Sequence, residues 1–145
     1  MNIKIKDIPQ PLSKRTLSHG RHVRTIAGII FVLAWVPGWN LTTLNPFGFK
    51  VDVMTALSIW CLLSGALTYF TARLFIGVQA QLPSWLQHFE VLLKKFEAGD
   101  RTPVPDAVGR MARRAVWIDK FLPLLMAISS LVVALSEILP LAFDQ

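Results

Sequence analysis

The sequence predicts an all-α membrane protein with three transmembrane helices and an amphipathic juxtamembrane helix in the loop between the second and third. Three observations carry this. Hydrophobic residues make up 53% of the 145 positions, above the usual share for a soluble domain even when glycine is counted there. Three windows approach or reach the roughly 20 apolar residues that a helix needs to cross a hydrocarbon core about 30 Å thick. The 15 Lys and Arg residues flank those windows and form no single stripe, which argues against nucleic acid as a partner.

Residues 1–24 are a basic lead. The first window, 25–44, is short, because Pro37 and Gly38 break a helix that ends at Trp35. Trp39, Phe47 and Phe49 then fall among turn-forming residues, as in chain at headgroup level, and 45–52 reads as an external loop. A cleaved signal peptide over residues 1–36 is disfavoured by the long basic lead and by the lack of an A-x-A cleavage pattern. The second span, 53–72, has no charge between Asp52 and Arg73. The third, 121–143, is uncharged from Phe121 to Ser136 and meets Glu137 near its far end, leaving 144–145 as an external tail.

Basic residues give the orientation. The lead holds six (Lys4, Lys6, Lys14, Arg15, Arg21 and Arg24) and the external loop has Lys50 alone. The segment 73–120 holds eight, and nothing basic follows residue 120. The positive-inside rule then places the N-terminus and the 73–120 loop in the cytoplasm and the C-terminus in the periplasm of a bacterial inner membrane.

Within that loop, Trp85, Leu86, Phe89, Leu92, Leu93 and Phe96 recur at helical spacing and predict an amphipathic helix over 84–98. Ser84 with Gln87 reads as a capping box behind Pro83, and Gly99 as a stop. Such a helix can lie in the interface, pack on its neighbours or dock a partner, which makes its apolar face a candidate interface. Pro103 and Pro105 disfavour helix in the turn that follows, and a basic helix is expected over 106–120. Its Arg110, Arg113 and Arg114 share one edge, suited to the phosphates of anionic lipid headgroups. Pro123 is expected to kink the entry into the third span.

Gly99–Asp100, Val104–Pro105 and the run DAVGRMARRA from Asp106 together resemble the GD…DEIGxLaxxf stretch of HAMP signalling linkers, which also follow a transmembrane helix. The resemblance covers under a third of the chain. This sequence lacks the glutamate after Asp106, has a shorter connector and leads into another apolar span. The resemblance implies a juxtamembrane helix pair and assigns no functional residue.

Candidate chemistry is sparse. Glu137 is the one carboxylate inside an apolar span, and its place near the span's end suits a hydrated or hydrogen-bonded group as well as a proton or ion role. His19 and His22 have metal-like spacing but sit among Arg and Lys with no third ligand nearby. No G-x-S-x-G, P-loop or H-E-x-x-H motif occurs, and no paired carboxylates, so no catalytic, cofactor or metal site is expected. Cys61 is the lone cysteine and reads as a small packing residue. It joins Ser64, Gly65, Thr68 and Ala72 in the second span, with Ser130 and Ala134 in the third, as small residues that let membrane helices approach.

Function is then expected from association with the bilayer and with another membrane protein or a second copy. The leading expectation is a non-enzymatic accessory, regulatory or assembly subunit of a membrane complex. A homo-oligomeric channel or transporter using Glu137 is the alternative, and an immunity or exclusion protein a third.

Overall fold

A computed structural model describes residues 8–35, 52–100 and 102–143. The order is α1 (Lys14–Trp35), α2 (Val53–His88), α3 (Glu90–Glu97), α4 (Pro103–Arg114), a π-helical segment (Ala115–Phe121) and α5 (Leu122–Phe143), with no strand among the described residues. α1, α2 and α5 pack against one another as a bundle, and the α3–α4 hairpin closes its basic end.

α1 begins well inside the basic lead, eleven residues before the apolar window. Ser13 caps it: its Oγ accepts from Thr16 N at 3.2 Å and its carbonyl from Leu17 N at 3.0 Å. The buried face Thr16, Gly20, Val23, Ala27 and Ile30 runs unbroken from the basic part into the apolar part, so packing extends the helix where hydropathy alone does not. Its last residue is Trp35, as expected. The Pro37–Gly38 break, the interfacial aromatics and most of the 45–52 loop lie outside the described residues.

Asp52 caps α2, its Oδ1 accepting from Thr55 N at 2.7 Å. The helix runs 36 residues, about 54 Å at 1.5 Å per residue, well beyond the expected 53–72 span. The expectation of a new helix starting at Ser84 is corrected here, because Ser84 lies inside α2 and forms no capping box. Pro83 is tolerated because it and Gln79, whose carbonyl it leaves without an intrahelical donor, are both exposed. The break comes at Phe89, whose φ and ψ are −105° and 15°.

α3 ends in a Schellman turn: Asp100 N donates to Lys95 O at 3.0 Å, Gly99 N to Phe96 O at 3.1 Å, and Gly99 has φ 92°. α4 then starts at Pro103, so the expectation that Pro103 and Pro105 keep this stretch out of helix is also corrected. Both occupy the first turn, where backbone N–H groups have no intrahelical acceptor. α3 and α4 pack on each other as a hairpin.

Pro123 does not stop the run from α4 into α5. It cannot donate to the carbonyl of Asp119, and its ring would crowd that carbonyl in a regular α-helix. The backbone widens to π geometry over Ala115–Phe121, and Leu122 N donates to Trp117 O, five residues back. Helical chain is thereby continuous from Pro103 to Phe143.

Two apolar clusters hold the fold. The bundle core gathers Val23, Ala27 and Ile30 of α1, Ala56, Trp60, Leu67 and Leu74 of α2, and Ala127 and Ala134 of α5. The second cluster, at the basic end, gathers Ile8, Trp85, Phe89, Ala107, Val108 and Ala112. Outside the bundle the surface is apolar as well, with Leu62, Ile128 and Val132 more than 60% exposed. Among the described residues two helices, Val53–His88 and the run Pro103–Phe143, are long and apolar enough to cross a membrane. Only 17% and 22% of their most apolar windows are buried within the chain, whereas the core helix of a soluble protein buries most of its apolar residues.

At Gly109 of α4 a methyl group would overlap the buried Phe96 ring of α3. Gly109→Ala is expected to lower stability by about 1–3 kcal/mol through overpacking. Gly65→Ala, with open space around it, is expected to be neutral or slightly stabilising. Thermal unfolding of the two variants in the same detergent or nanodisc separates these outcomes.

Candidate functional site

The amphipathic face expected at 84–98 is folded inward. Trp85, Phe89 and Phe96 are 5–7% exposed, and Leu86, Leu92 and Leu93 are half-buried against them and against Val104 and Met111 of α4. Trp85 Nε1 also donates to the carbonyl of Pro9 at 2.8 Å, strapping the N-terminal segment across the hairpin. Trp85, Phe89 and Phe96 of this face are therefore packed within the chain, one of the placements the sequence left open, and Leu86, Leu92 and Leu93 are covered in part. The helical period identified the face; the occupant, α4, follows only from the turn at Gly99.

The two small-residue stripes differ. On α5, Ser130 and Ala134 are fully buried, and Ser130 Oγ donates to Met126 O at 2.7 Å and approaches Ala27 O of α1 at 3.4 Å. On α2, Cys61, Gly65, Thr68 and Ala72 are exposed and Ser64 is half-buried. The inner face of α2 is instead Ala56, Trp60, Leu67, Leu74, Val78 and Leu82. The space beside Gly65 is open, whereas the Oγ of Ser64 is shut off from solvent without a hydrogen-bond partner. Thr68 Oγ1 donates back to Ser64 O at 2.8 Å, so its hydroxyl is satisfied on an apolar exterior.

Each arginine of the expected basic edge has its own intramolecular partner. Arg110 pairs with Asp106 at 2.6 Å, Arg113 lies 4.8 Å above the Phe96 ring, and Arg114 Nε is 3.9 Å from Asp119 Oδ2. All three remain exposed. Glu137 is half-buried and makes no ion pair with a described residue. No group of three His, Cys, Asp or Glu side chains among the described residues is placed to hold a metal ion.

The π-helical segment creates a polar niche that the sequence did not signal. Asp119, whose side chain is 13% exposed, points into a cavity of about 150 Å³ beside Gln10, Leu12, Leu17, Met111 and Arg114. Burial pushes its carboxyl above the ordinary aspartate range, and the positive charges of Arg114 and Arg24 oppose that rise. Asp119 lies two residues ahead of the apolar run 121–143. Comparison of the chain with protein-family models, with curated proteins and with solved structures gave no match.

A carboxyl whose folded pKa is raised binds its proton more tightly in the folded state. It therefore favours folding below its unfolded pKa, and that contribution is lost as pH rises through the folded value. Asp119→Asn, which keeps the shape without the charge, is expected to raise the melting temperature at neutral pH. The advantage should disappear once the pH falls below about 3.8, the ordinary carboxyl value. Thermal melts of both proteins across pH provide the check.

Proposed function

We propose that the chain is a three-span inner-membrane protein, with its basic end in the cytoplasm, that acts without catalysis as an accessory or assembly subunit of a membrane complex. The observation that carries the association is the outward small-residue stripe Cys61, Gly65, Thr68 and Ala72 of α2. Between helices in lipid there is no hydrophobic driving force, and close backbone approach over small residues takes its place. The buried stripe on α5 already serves α1 in this way. The α2 stripe has the same small-residue character and open space beside Gly65, so it suits a helix from another protein.

Packing supports the third span. α1 lies against both α2 and α5, and Ala27 meets Ser130 near the middle of the apolar run 121–143. A helix locked at that depth shares the hydrocarbon layer with its neighbours. The distribution of Lys and Arg supports the orientation, and the inward turn of the Trp85 face moves the candidate partner surface from the loop to α2.

Cys61 sits on the stripe and is exposed, which makes it a natural crosslinking handle. Crosslinking from Cys61 in native membranes is expected to join the chain to one foreign membrane protein in fixed ratio. Gly65→Leu, which fills the stripe where nothing of this chain lies within 4 Å, should abolish the product while leaving the protein folded. A Cys61–Cys61 dimer as the sole product would contradict the accessory-subunit reading and favour self-association.

A further inference from the structure

Where the basic half of α1 packs on α2, the two helices together supply a cationic cluster that neither contains alone. α1 supplies Arg15, His19 and His22; α2 supplies Phe70 and Arg73. The His22 and His19 rings lie 4.8 and 5.9 Å from the Phe70 ring, centre to centre. Arg73 donates from Nε to Tyr69 Oη at 3.4 Å and stands 5.6 Å from that ring's centre. His22 Nε2 is 3.3 Å from Ser18 Oγ.

Among the described residues no carboxylate pairs with Arg15, His19, His22 or Arg73; the ion pairs present are Lys94–Glu90, Arg110–Asp106 and Arg114–Asp119. The charged groups that act on His19 are Arg15 and His22 of its own helix and Arg73 of α2, and with burial they hold it below the ordinary histidine range. His19 Nδ1 is shut off from solvent with no hydrogen-bond partner. A neutral ring then avoids an unmet buried donor by carrying its proton on Nε2, which leaves that N–H free to donate.

Cationic groups gathered from two helices with no acid between them repel one another until an anion joins them. His22 is three residues before the apolar window at Thr25 and Arg73 directly follows the span 53–72, while Arg15 stands ten residues before that window, about 15 Å along the helix. Within the span beside the cluster, α2 turns Leu62 and Tyr69 outward, an apolar flank suited to acyl chains. Arg24 acts electrostatically on Asp119.

We propose that Arg15, His19, His22 and Arg73 form a site for the phosphate of an anionic lipid, seated between α1 and α2 at the basic boundary of the bundle. Basic pockets between membrane helices bind such headgroups through charge-assisted hydrogen bonds, with arginine the best-matched donor. The site rests on the membrane reading above. It is separate from the Arg110–Arg114 edge, whose charges already have partners.

The test is native mass spectrometry of the protein released from nanodiscs of equal phosphatidylglycerol and phosphatidylcholine. Wild-type protein is expected to retain phosphatidylglycerol preferentially. Arg15→Gln and Arg73→Gln should each weaken that preference about fivefold, and together about 25-fold. Lys94→Gln with Lys95→Gln, the same charge loss on the exposed face of α3, should change it by less than about twofold. The preference should strengthen as the pH falls below about 6.5, the ordinary histidine value, and His19 takes up a proton; His19→Gln should weaken that response.

Equal loss in the control pair, or no preference in wild type, would overturn the site. Stripping of the lipid by millimolar inorganic phosphate would assign the cluster to a soluble anion and overturn the lipid assignment. Failure of the protein to enter nanodiscs at all would overturn the membrane reading itself, a result distinct from entry without lipid preference.

Discussion

Close approach of α1 to its two neighbours is the constraint on which the rest of the structure depends. At Gly77 a methyl group would lie 2.6 Å from Thr16 Oγ1, so α1 and α2 meet there only because the glycine has no side chain. Gly20 clears Leu74 and Pro123 at ordinary contact distance, and Ala27 admits Ser130 of α5. These contacts seat a helix whose own apolar stretch is short. They also bring its basic first half level with Arg73 on α2 and Asp119 on the π-helical segment, so the cationic cluster and the polar niche are both consequences of that seating.

The basic end is closed by a second, independent set of contacts. Gln81 Oε1 accepts from Ser13 N at 2.7 Å, and Trp85 Nε1 holds the carbonyl of Pro9. The distal part of α2 thus fixes the start of α1, while its last aromatic residues pack on α4. An extension of α2 far beyond the thickness of a hydrocarbon core is explained by this: its distal turns are a scaffold for the N-terminal segment and the hairpin. Over their apolar stretches α1, α2 and α5 turn large hydrophobic residues outward, among them Ile29, Leu62 and Val132, a surface suited to a bilayer.

Much of this was legible in the sequence, and the unread part has physical causes. Helical period located the buried face Trp85–Phe89–Phe96, and Gly99 marked its end because a left-handed residue completes the turn there. The break before Ser84 misled, since the cost of Pro83 depends on whether the carbonyl it orphans reaches solvent, which is a tertiary property. Pro103 and Pro105 misled in the same way, as their position within the first turn decides their effect. The π-helical segment had no signal beyond Pro123 itself. The α2 stripe was visible as a stripe, but a helix apolar on every side carries no polar face to say which side turns inward. The cationic cluster could not be read at all, because His19 and His22 meet Phe70 only when α1 is seated.

The central claim is that α1 shares the hydrocarbon layer with α2 and α5. Spin labels at Ile29→Cys, Leu62→Cys and Val132→Cys, in a Cys61→Ala background in nanodiscs, report depth through their relative exposure to oxygen and to a water-soluble nickel chelate. All three should be rich in oxygen contact and poor in chelate contact, while Val91→Cys on α3 shows the reverse. Chelate access at position 29 equal to that at position 91, with 62 and 132 still shielded, would contradict the account and leave α1 outside the membrane.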